Sequence, residues 1–245
     1  MARIRVLNAE FDALTLAQTV DAIFEDMKAG KRGWLATVNV AILMMMRSDP
    51  QLQGFVDCAA LVVADGQPLI WCTRWLDRAL PERVTGIDLV ESICQRAAAE
   101  GKKIYLLGAT LETVLRVAQR LKERHVNLQV DSADGYFGDD EAANRADAVR
   151  ASKADILFVG MGVPRQERFL EQQWERLGVA TAIGVGGSFD VLAGLRARAP
   201  RWVQRIGLEW LFRLLQEPRR LFMRYLVTNS QFVWLMASTL FTTKR

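Results

Sequence analysis

The chain has 245 residues, of which 51% are hydrophobic and 24% charged, and its formal net charge is +4. Such a composition is typical of a globular protein and excludes a disordered chain, and the length suits one large α/β domain with an appendage. The three cysteines include no C-x-x-C pair, which argues against a disulfide framework and a zinc site and fits a reducing cytosol. The single histidine argues against nucleophilic catalysis that depends on histidine.

Strand-like and helix-like patterns alternate along the chain, which predicts an α/β fold with a mostly parallel sheet flanked by helices. Apolar runs predict strands at 3–7, 34–38, 61–64, 104–107, 128–130, 156–159 and around 182–185. Apolar periodicity and capping residues predict helices at 15–30, 40–47, 87–99 and 141–152, with others opening at Asp49-Pro50 and at Pro68. We expect Asp139 or Asp140 to cap the helix at 141–152, and His125 to be an exposed residue at a helix end.

Three of the apolar runs stop at glycine and restart as a helix-like pattern. Their glycines are Gly108, Gly160 with Gly162, and Gly184 with Gly186. Backbone without side chains can approach a phosphate closely, and the helix N-terminus that follows adds partial positive charge. A single βα turn needs glycine anyway, but three in one chain favour a phosphate-bearing ligand outside the carboxyl ends of the strands.

Polar side chains cluster at the same predicted strand ends. They are Thr37 and Asn39, Asp65, and Gln166 with Glu167. Asp65 directly follows a buried run, where partial burial would raise the pKa of its carboxyl group toward that of a general base. It could equally cap the helix that follows. Glu167 could serve only to stabilise the first turn of its helix through the helix dipole.

The charge is unevenly distributed. Residues 196–245 contain ten basic and two acidic residues, a balance of +8, which leaves −4 for residues 1–195. We therefore expect a core (1–195) and a basic, tryptophan- and leucine-rich helical tail (196–245). The composition of the tail suits binding to an anionic membrane surface better than binding to nucleic acid. A helical subdomain that caps the core and has a solvated basic face is an equal alternative to membrane binding. Its uncharged stretch, 225–241, is too short and too polar in its middle for a transmembrane helix.

Common nucleotide-binding motifs fit this chain poorly. Arg165 stands where a dinucleotide motif would place its third glycine after Gly160 and Gly162, and no Walker A lysine or Asp-x-Asp pair is present. A soluble oxidoreductase is therefore disfavoured, and it would not need the tail. If the ligand is a nucleoside diphosphate, arginines, backbone N–H groups and helix N-termini must meet its charge. Arg83 is either such a phosphate clamp or a surface residue.

These motifs occur together, in the same order, in the WecG/TagA/CpsF family, which the chain resembles over nearly its whole length. The motifs are Thr37-Val38-Asn39, Ala64-Asp65-Gly66, Arg83-Val84-Thr85-Gly86, the run from Gly160 to Glu167, the run from Gly184 to Asp190, Arg198-Ala199-Pro200, Gly207-Leu208-Glu209-Trp210 and Glu217-Pro218-Arg219-Arg220.

The resemblance implies a Rossmann-like, metal-independent, inverting glycosyltransferase of bacterial cell-surface polysaccharide synthesis. Such an enzyme moves a sugar of the N-acetylmannosamine type, or a related one, from a UDP-sugar to a polyprenyl-diphosphate-linked sugar. It uses no cofactor beyond its UDP-sugar donor, and it works as a peripheral protein at the cytoplasmic face of the plasma membrane. Its C-terminal appendage meets the membrane and completes the site. Self-association into a homo-oligomer is left open.

The same resemblance assigns roles to the polar cluster. It makes Asp65 the general base and places Arg83 on a phosphate. Thr37, Asn39 and Gln166 hold the donor or acceptor sugar, with Glu167 beside them in the substrate site.

In the tail, the resemblance points to Arg213, Arg220 and Arg224, which would join the glycine turns in binding the diphosphate. The three fall on one helical face if the helix is unbroken, which Pro218 puts in question. The alternative from another class is a membrane-recruited nucleotide-binding protein without transferase activity. That protein would keep the glycine turns and the tail but would not need Asp65.

Overall fold

Alternating strands and helices run through most of the chain, and three more helices complete it. The computed structural model describes residues 3–75 and 79–243, apart from the side chains of residues 75, 220, 224 and 239–243. The strands are β1 (Arg3–Val6), β2 (Ala9–Asp12), β3 (Gly33–Val38), β4 (Leu61–Ala64), β5 (Lys103–Gly108), β6 (Gln129–Ala133), β7 (Ile156–Gly160) and β8 (Thr181–Gly184). The helices are α1 (Leu16–Lys28), α2 (Val40–Met46), α3 (Pro50–Asp57), α4 (Gln67–Trp75), α5 (Gly86–Glu100), α6 (Leu111–Arg124), α7 (Ala142–Ala151), α8 (Arg165–Leu177), α9 (Ser188–Leu192), α10 (Arg201–Arg205), α11 (Glu209–Gln216) and α12 (Pro218–Thr243).

Strands β3 to β8 form one six-stranded parallel sheet in the order β4-β3-β8-β7-β5-β6. Every residue of β4, β7 and β8 is buried, because helices cover both faces of a parallel sheet. Alternate residues of β7 enter two separate cores: Leu157 and Val159 face α2, α3, α8 and α12, and Ile156 and Phe158 face α1, α5, α6 and α9. The predicted α/β fold of Rossmann type, with a parallel sheet between helices, is confirmed.

Strands β1 and β2 form an antiparallel hairpin outside this sheet. The sequence pattern predicted one strand at 3–7, but the chain turns at Leu7 with φ +53° and comes back as β2. The buried Asp12 carboxylate accepts a hydrogen bond from the backbone N–H of Val62 at 2.8 Å and pairs with Arg3 at 3.1 Å. The hairpin thereby covers the outer edge of β4.

Two further local predictions were wrong. Residues 139–141 form a short 3₁₀ turn before α7, and no side chain caps either start, so Asp139 and Asp140 are not caps. His125 does end α6, but its side chain is only 15% exposed and lies 3.4 Å from the carboxylate of Glu91. A partner on α5 therefore holds it against the protein surface.

The C-terminal helices pack onto the core through α12. Leu221, Phe232 and Met236 are buried, and the last two belong to the same apolar cluster as α2. Tail and core therefore share one apolar cluster, and the division into residues 1–195 and 196–245 stays a prediction.

The tail is not one continuous helix. Helix α11 ends at Gln216, Glu217 has φ −133° and ψ 58°, and α12 begins at Pro218. The condition under which Arg213, Arg220 and Arg224 would share one helical face, an unbroken helix, is therefore not met, because non-helical Glu217 separates the first from the other two. Within the described ranges, no helix is long and apolar enough to cross a membrane.

Candidate active site

The predicted polar cluster forms where β3, β4 and β8 end side by side. Val38 of β3 pairs with Ala64 of β4, and the N–H of Asp65 donates to the Val38 carbonyl at 2.9 Å, so Asn39 and Asp65 emerge together. Thr37 donates its hydroxyl to the Gly184 carbonyl at 3.0 Å, which ties β3 to the end of β8. Three strand ends thus meet at the carboxyl edge of the sheet, where ligands of parallel α/β proteins bind.

Two cavities open at this edge, with volumes of about 360 Å³ and 90 Å³. The larger is lined by the turns after β7 and β8 and by residues 196–199. The smaller lies between the start of α4 and the tail helices, with Trp210, Tyr225 and Asn229 in its wall. Both cavities are lined by Asn39, Asp65, Glu209, Arg213 and Tyr225.

Asp65 lies on this shared wall, and its carboxylate makes no ion pair with any residue that the structure describes. Among the residues that the structure describes, none donates a hydrogen bond to that carboxylate, so the helix-cap alternative finds no support. Burial raises the pKa of Asp65 to about 6, although the positive charges of Arg213 and Arg83 lower it. The negative charges of Glu209 and Asp88 add to the rise. A carboxylate with these properties can accept a proton near neutral pH.

Arg83 reaches the small cavity and is not a surface residue. Its guanidinium lies 2.5 Å from the carboxylate of Glu209, and the two side chains are only 15% and 7% exposed. Arg198 makes a two-pronged contact with Asp88, with two N···O distances of 2.7 Å. Burial alone would raise the pKa of Asp88, but hydrogen bonds from Arg198 and Thr85, with the charge of Arg198, hold it below its usual range.

Each arginine described in the cavity walls has a carboxylate partner. Besides the two pairs above, Arg196 pairs with Asp190 at 3.2 Å and with Glu217, and Arg213 lies 3.9 Å from Glu209. An incoming anion would therefore compete with the protein's own carboxylates. The side chains of Arg220 and Arg224 lie outside the described residues, and their predicted role stays a prediction.

Gln166 and Glu167 support the glycine turn after β8. Gln166 lines the large cavity, but its side-chain oxygen accepts from the N–H of Gly186 at 3.0 Å and its amide donates to Glu167 at 2.8 Å. Glu167 faces a small interior cavity behind β3 and not the main ones. Burial raises its pKa to about 7, although the hydrogen bond from Gln166 lowers it. The substrate contacts predicted for both stay predictions.

The predicted phosphate-binding glycines fall into two groups. A Cβ on Gly108 would come within 2.5 Å of the Gly160 carbonyl, and a Cβ on Gly160 would meet the ring of Phe189 at 2.6 Å. Gly184 is needed for another reason, because a Cβ there would lie 2.5 Å from the amide nitrogen of Gln166. Close packing thus explains why these three positions are glycine, and the phosphate contacts predicted for them stay predictions.

The other two predicted glycines, Gly162 and Gly186, line the large cavity. They have φ of +80° and +51°, and no atom lies within 4 Å of where their Cβ would be. These two positions, with the neighbouring Gly187, leave room for a ligand.

Asn39 has a structural task as well as a place in both cavities. Its side-chain oxygen caps α2 by accepting from the N–H of Ile42 at 3.1 Å. Its side-chain nitrogen is therefore the group that could contact a ligand.

Sequence reasoning missed three site residues: Glu209, Asp88 and Arg198. Glu209 stood in a recognised motif, but no local pattern shows that it meets Arg83, which lies 126 positions earlier. Asp88 and Arg198 are likewise 110 positions apart. The signal available in the sequence was the place of Arg198 and Glu209 in shared motifs, Arg198-Ala199-Pro200 and Gly207-Leu208-Glu209-Trp210. Among the described residues, no three histidine, cysteine or carboxylate side chains are grouped to hold a metal ion.

The fold and the site define an α/β protein with two adjoining, arginine-lined cavities at the carboxyl edge of its sheet and, between them, a carboxylate that makes no ion pair with the described residues. The family model for the glycosyl transferase WecG/TagA/CpsF family matches residues 4–245, essentially the whole chain. The chain belongs to this glycosyltransferase family, as its motifs predicted.

Proposed function

We propose that the protein transfers a sugar, of the N-acetylmannosamine type or a related one, from a UDP-sugar to a hydroxyl of a polyprenyl-diphosphate-linked sugar, with inversion. The observation that carries this proposal is the position of Asp65 on the wall that two cavities share. A base in that place can reach an acceptor on one side and a donor on the other. Membership in a glycosyltransferase family supports the general reaction.

In the proposed reaction, Asp65 takes the proton from the acceptor hydroxyl while that oxygen attacks the anomeric carbon of the donor. The new C–O bond forms opposite the bond to UDP, which breaks, and its electron pair leaves with UDP. One displacement inverts the configuration of that carbon. Negative charge then grows on the diphosphate, and arginines and backbone N–H groups are suited to stabilise it.

The shapes of the cavities favour one assignment of the substrates. The larger, at about 360 Å³, falls in the range of small-molecule sites, and open backbone at Gly162, Gly186 and Gly187 suits a diphosphate. The smaller has aromatic walls, with Trp210 and Tyr225 packed edge to face at 6.1 Å, and suits the apolar face of a sugar. We assign the donor to the larger cavity and the acceptor sugar to the smaller.

A lipid-linked acceptor requires the enzyme to work at a membrane surface, and the proposed location is the cytoplasmic face of the plasma membrane. Helix α12 supports peripheral attachment. It presents an exposed apolar side made of Phe222, Met223, Leu226, Val227, Val233 and Trp234, all at least 47% exposed. Arg219 projects from the same side of the helix. Apolar and basic residues on one helical face are typical of interfacial helices.

Substitution of Asp65 tests the proposed reaction. Asp65→Asn removes the base but keeps the shape, so we expect UDP release from a UDP-sugar panel with a short-chain acceptor to fall about 10²–10⁴-fold. Binding of UDP, measured by calorimetry, should change little. The matched control is Asp49→Asn, which alters a real helix cap that accepts from Leu52 N–H at 3.1 Å. Full activity of the Asp65 variant would reject the proposal.

We also propose that the transfer needs no metal ion, because the sequence lacks the Asp-x-Asp pair that would hold one on a diphosphate. Transfer measured in excess EDTA should equal the untreated rate. Loss of activity in EDTA, restored by Mg²⁺ or Mn²⁺, would contradict this expectation.

A further inference from the structure

Glu209 is the only carboxylate from the tail helices, within the described residues, that contacts Arg83 of the core. It is the first residue of α11 and is 5% exposed. Its carboxylate lies 2.5 Å from the Arg83 guanidinium and 3.9 Å from those of Arg198 and Arg213. One buried carboxylate thus faces three arginines that surround the proposed active centre.

Among the residues whose side chains the structure describes, charged groups from several segments act on Asp65. They are Arg83 of the loop before α5, Asp88 of α5, Arg198 of the segment before α10, and Glu209 and Arg213 of α11. Asp88 forms an ion pair with Arg198, and Glu209 forms one with Arg83. Asp65 is the one carboxylate of this group that makes no ion pair within the described residues.

An arginine without a partner would not stay unpaired beside a buried carboxylate. If Glu209 were neutral, the positive charges of Arg83 and Arg213, which already act on Asp65, would have lost the carboxylate that Arg83 and Arg213 contact now. An ion pair with arginine favours the charged carboxylate and occupies its lone pairs. The side chain would then be a weaker proton acceptor.

We propose that Glu209 is a positioning residue that occupies Arg83 and so keeps the Asp65 carboxylate unpaired in the cavity. Because Glu209 belongs to the tail, this effect requires the tail to be seated on the core. The inference rests on the proposed function, in which Asp65 is the base, and it explains how arginines can line the site without disabling that base.

The test is a titration of Asp65 that needs no sugar substrate. Full-length protein labelled with ¹³C at the aspartate carboxyl carbon is titrated by NMR, and the Asp65 signal is assigned by its loss in Asp65→Asn. In the wild-type protein we expect a midpoint near pH 6. In Glu209→Gln the midpoint should fall by about one pH unit, the low end of the shift that an opposite charge gives a carboxyl group.

Two further variants make the test decisive. Glu209→Asp keeps the charge but shortens its reach, so its midpoint should lie between those of the wild type and Glu209→Gln. Asp190→Asn is the matched control: it removes a carboxylate from Arg196, not from the group around Asp65, and its midpoint should equal the wild type's.

A folded Glu209→Gln protein with an unshifted midpoint would overturn the inference. If that variant does not fold, an unshifted midpoint in Glu209→Asp would overturn it. A Glu209 that acts on Asp65 only through its charge would lower the midpoint in Glu209→Gln but leave it at the wild-type value in Glu209→Asp, which keeps the charge, and that result would also overturn the inference. The outcome is independent of the transfer assay, so the proposed reaction and this inference can fail separately.

Discussion

Glu167 is buried, with 7% of its surface exposed. One of its carboxyl oxygens accepts a hydrogen bond from Gln166, and the other has no hydrogen-bond partner among the described residues. Burial raises its pKa to about 7 from the ordinary 4.5. Because the folded pKa lies above the unfolded one, the stability due to the protonated form is fully present below about pH 4.5 and is lost as the pH rises to about 7. The protein therefore holds a buried proton that costs stability to remove.

We predict that Glu167→Gln removes this pH dependence. A glutamine can still accept the hydrogen bond from Gln166 but has no proton to lose. The difference in free energy of unfolding, variant minus wild type, should increase by up to roughly 3 kcal/mol between pH 4 and pH 8. Urea unfolding at each pH measures it. Glu175→Gln is the matched control, because Glu175 lies on the same helix but is exposed. A difference that does not vary with pH would contradict the buried-proton account.

Among the elements, α12 has two unlike sides, one packed on the core and one exposed. Leu221, Phe232 and Met236 are at most 5% exposed against the core, whereas Phe222 and Trp234 are 54% and 69% exposed. Hydrophobic residues this exposed are unfavourable in water when they form a stripe, and favourable at a lipid headgroup boundary. The helix can thus attach to the core and to a surface at once.

We predict that the double substitution Phe222→Ser with Trp234→Ser weakens binding to vesicles of phosphatidylcholine and phosphatidylglycerol by tenfold or more. Burying one such side chain contributes roughly 1.5–3 kcal/mol, and about 1.4 kcal/mol is a factor of ten. Co-sedimentation measures the change. Leu115→Ser, which removes an exposed leucine from α6, is the control and should bind as wild type. Raising the salt concentration should weaken binding by screening the basic residues, without eliminating it.

At the scale of the whole molecule, the features that could be predicted from the sequence are those that depend on residues close together along the chain. Buried apolar runs, glycine turns and helix caps follow from neighbouring residues, so the parallel sheet and the place of Asp65 at its carboxyl edge could be predicted. Why Gly108 and Gly160 are glycine could not be predicted, because the backbone and ring that exclude a side chain there come from other strands and from α9. The hairpin at β1 and β2 was missed because its second strand, Ala9–Asp12, contains no continuous apolar run and includes acidic residues that disfavour strands.

The ion pairs around Asp65 could not be predicted from the sequence for the same physical reason. The Arg83–Glu209 and Asp88–Arg198 pairs each join residues more than a hundred positions apart, and only the folded chain brings them together. Composition showed that the tail is basic. It did not show that the tail's cavity arginines are neutralised by carboxylates.

Two ion pairs between core and tail are arranged in opposite senses, with the positive charge on the core in one and on the tail in the other. This arrangement limits which tails and cores of family members could be combined in one chain. Arg83 of the core meets an acid of the tail, Glu209, whereas Asp88 of the core meets a base of the tail, Arg198. A tail grafted onto a core that lacks one of these partners would bury an unmatched charge, at a cost of roughly 3–5 kcal/mol. Exchange of residues 196–245 between homologues should therefore succeed where the recipient core keeps both an arginine at the position of Arg83 and a carboxylate at the position of Asp88, and otherwise only when these core segments are exchanged as well.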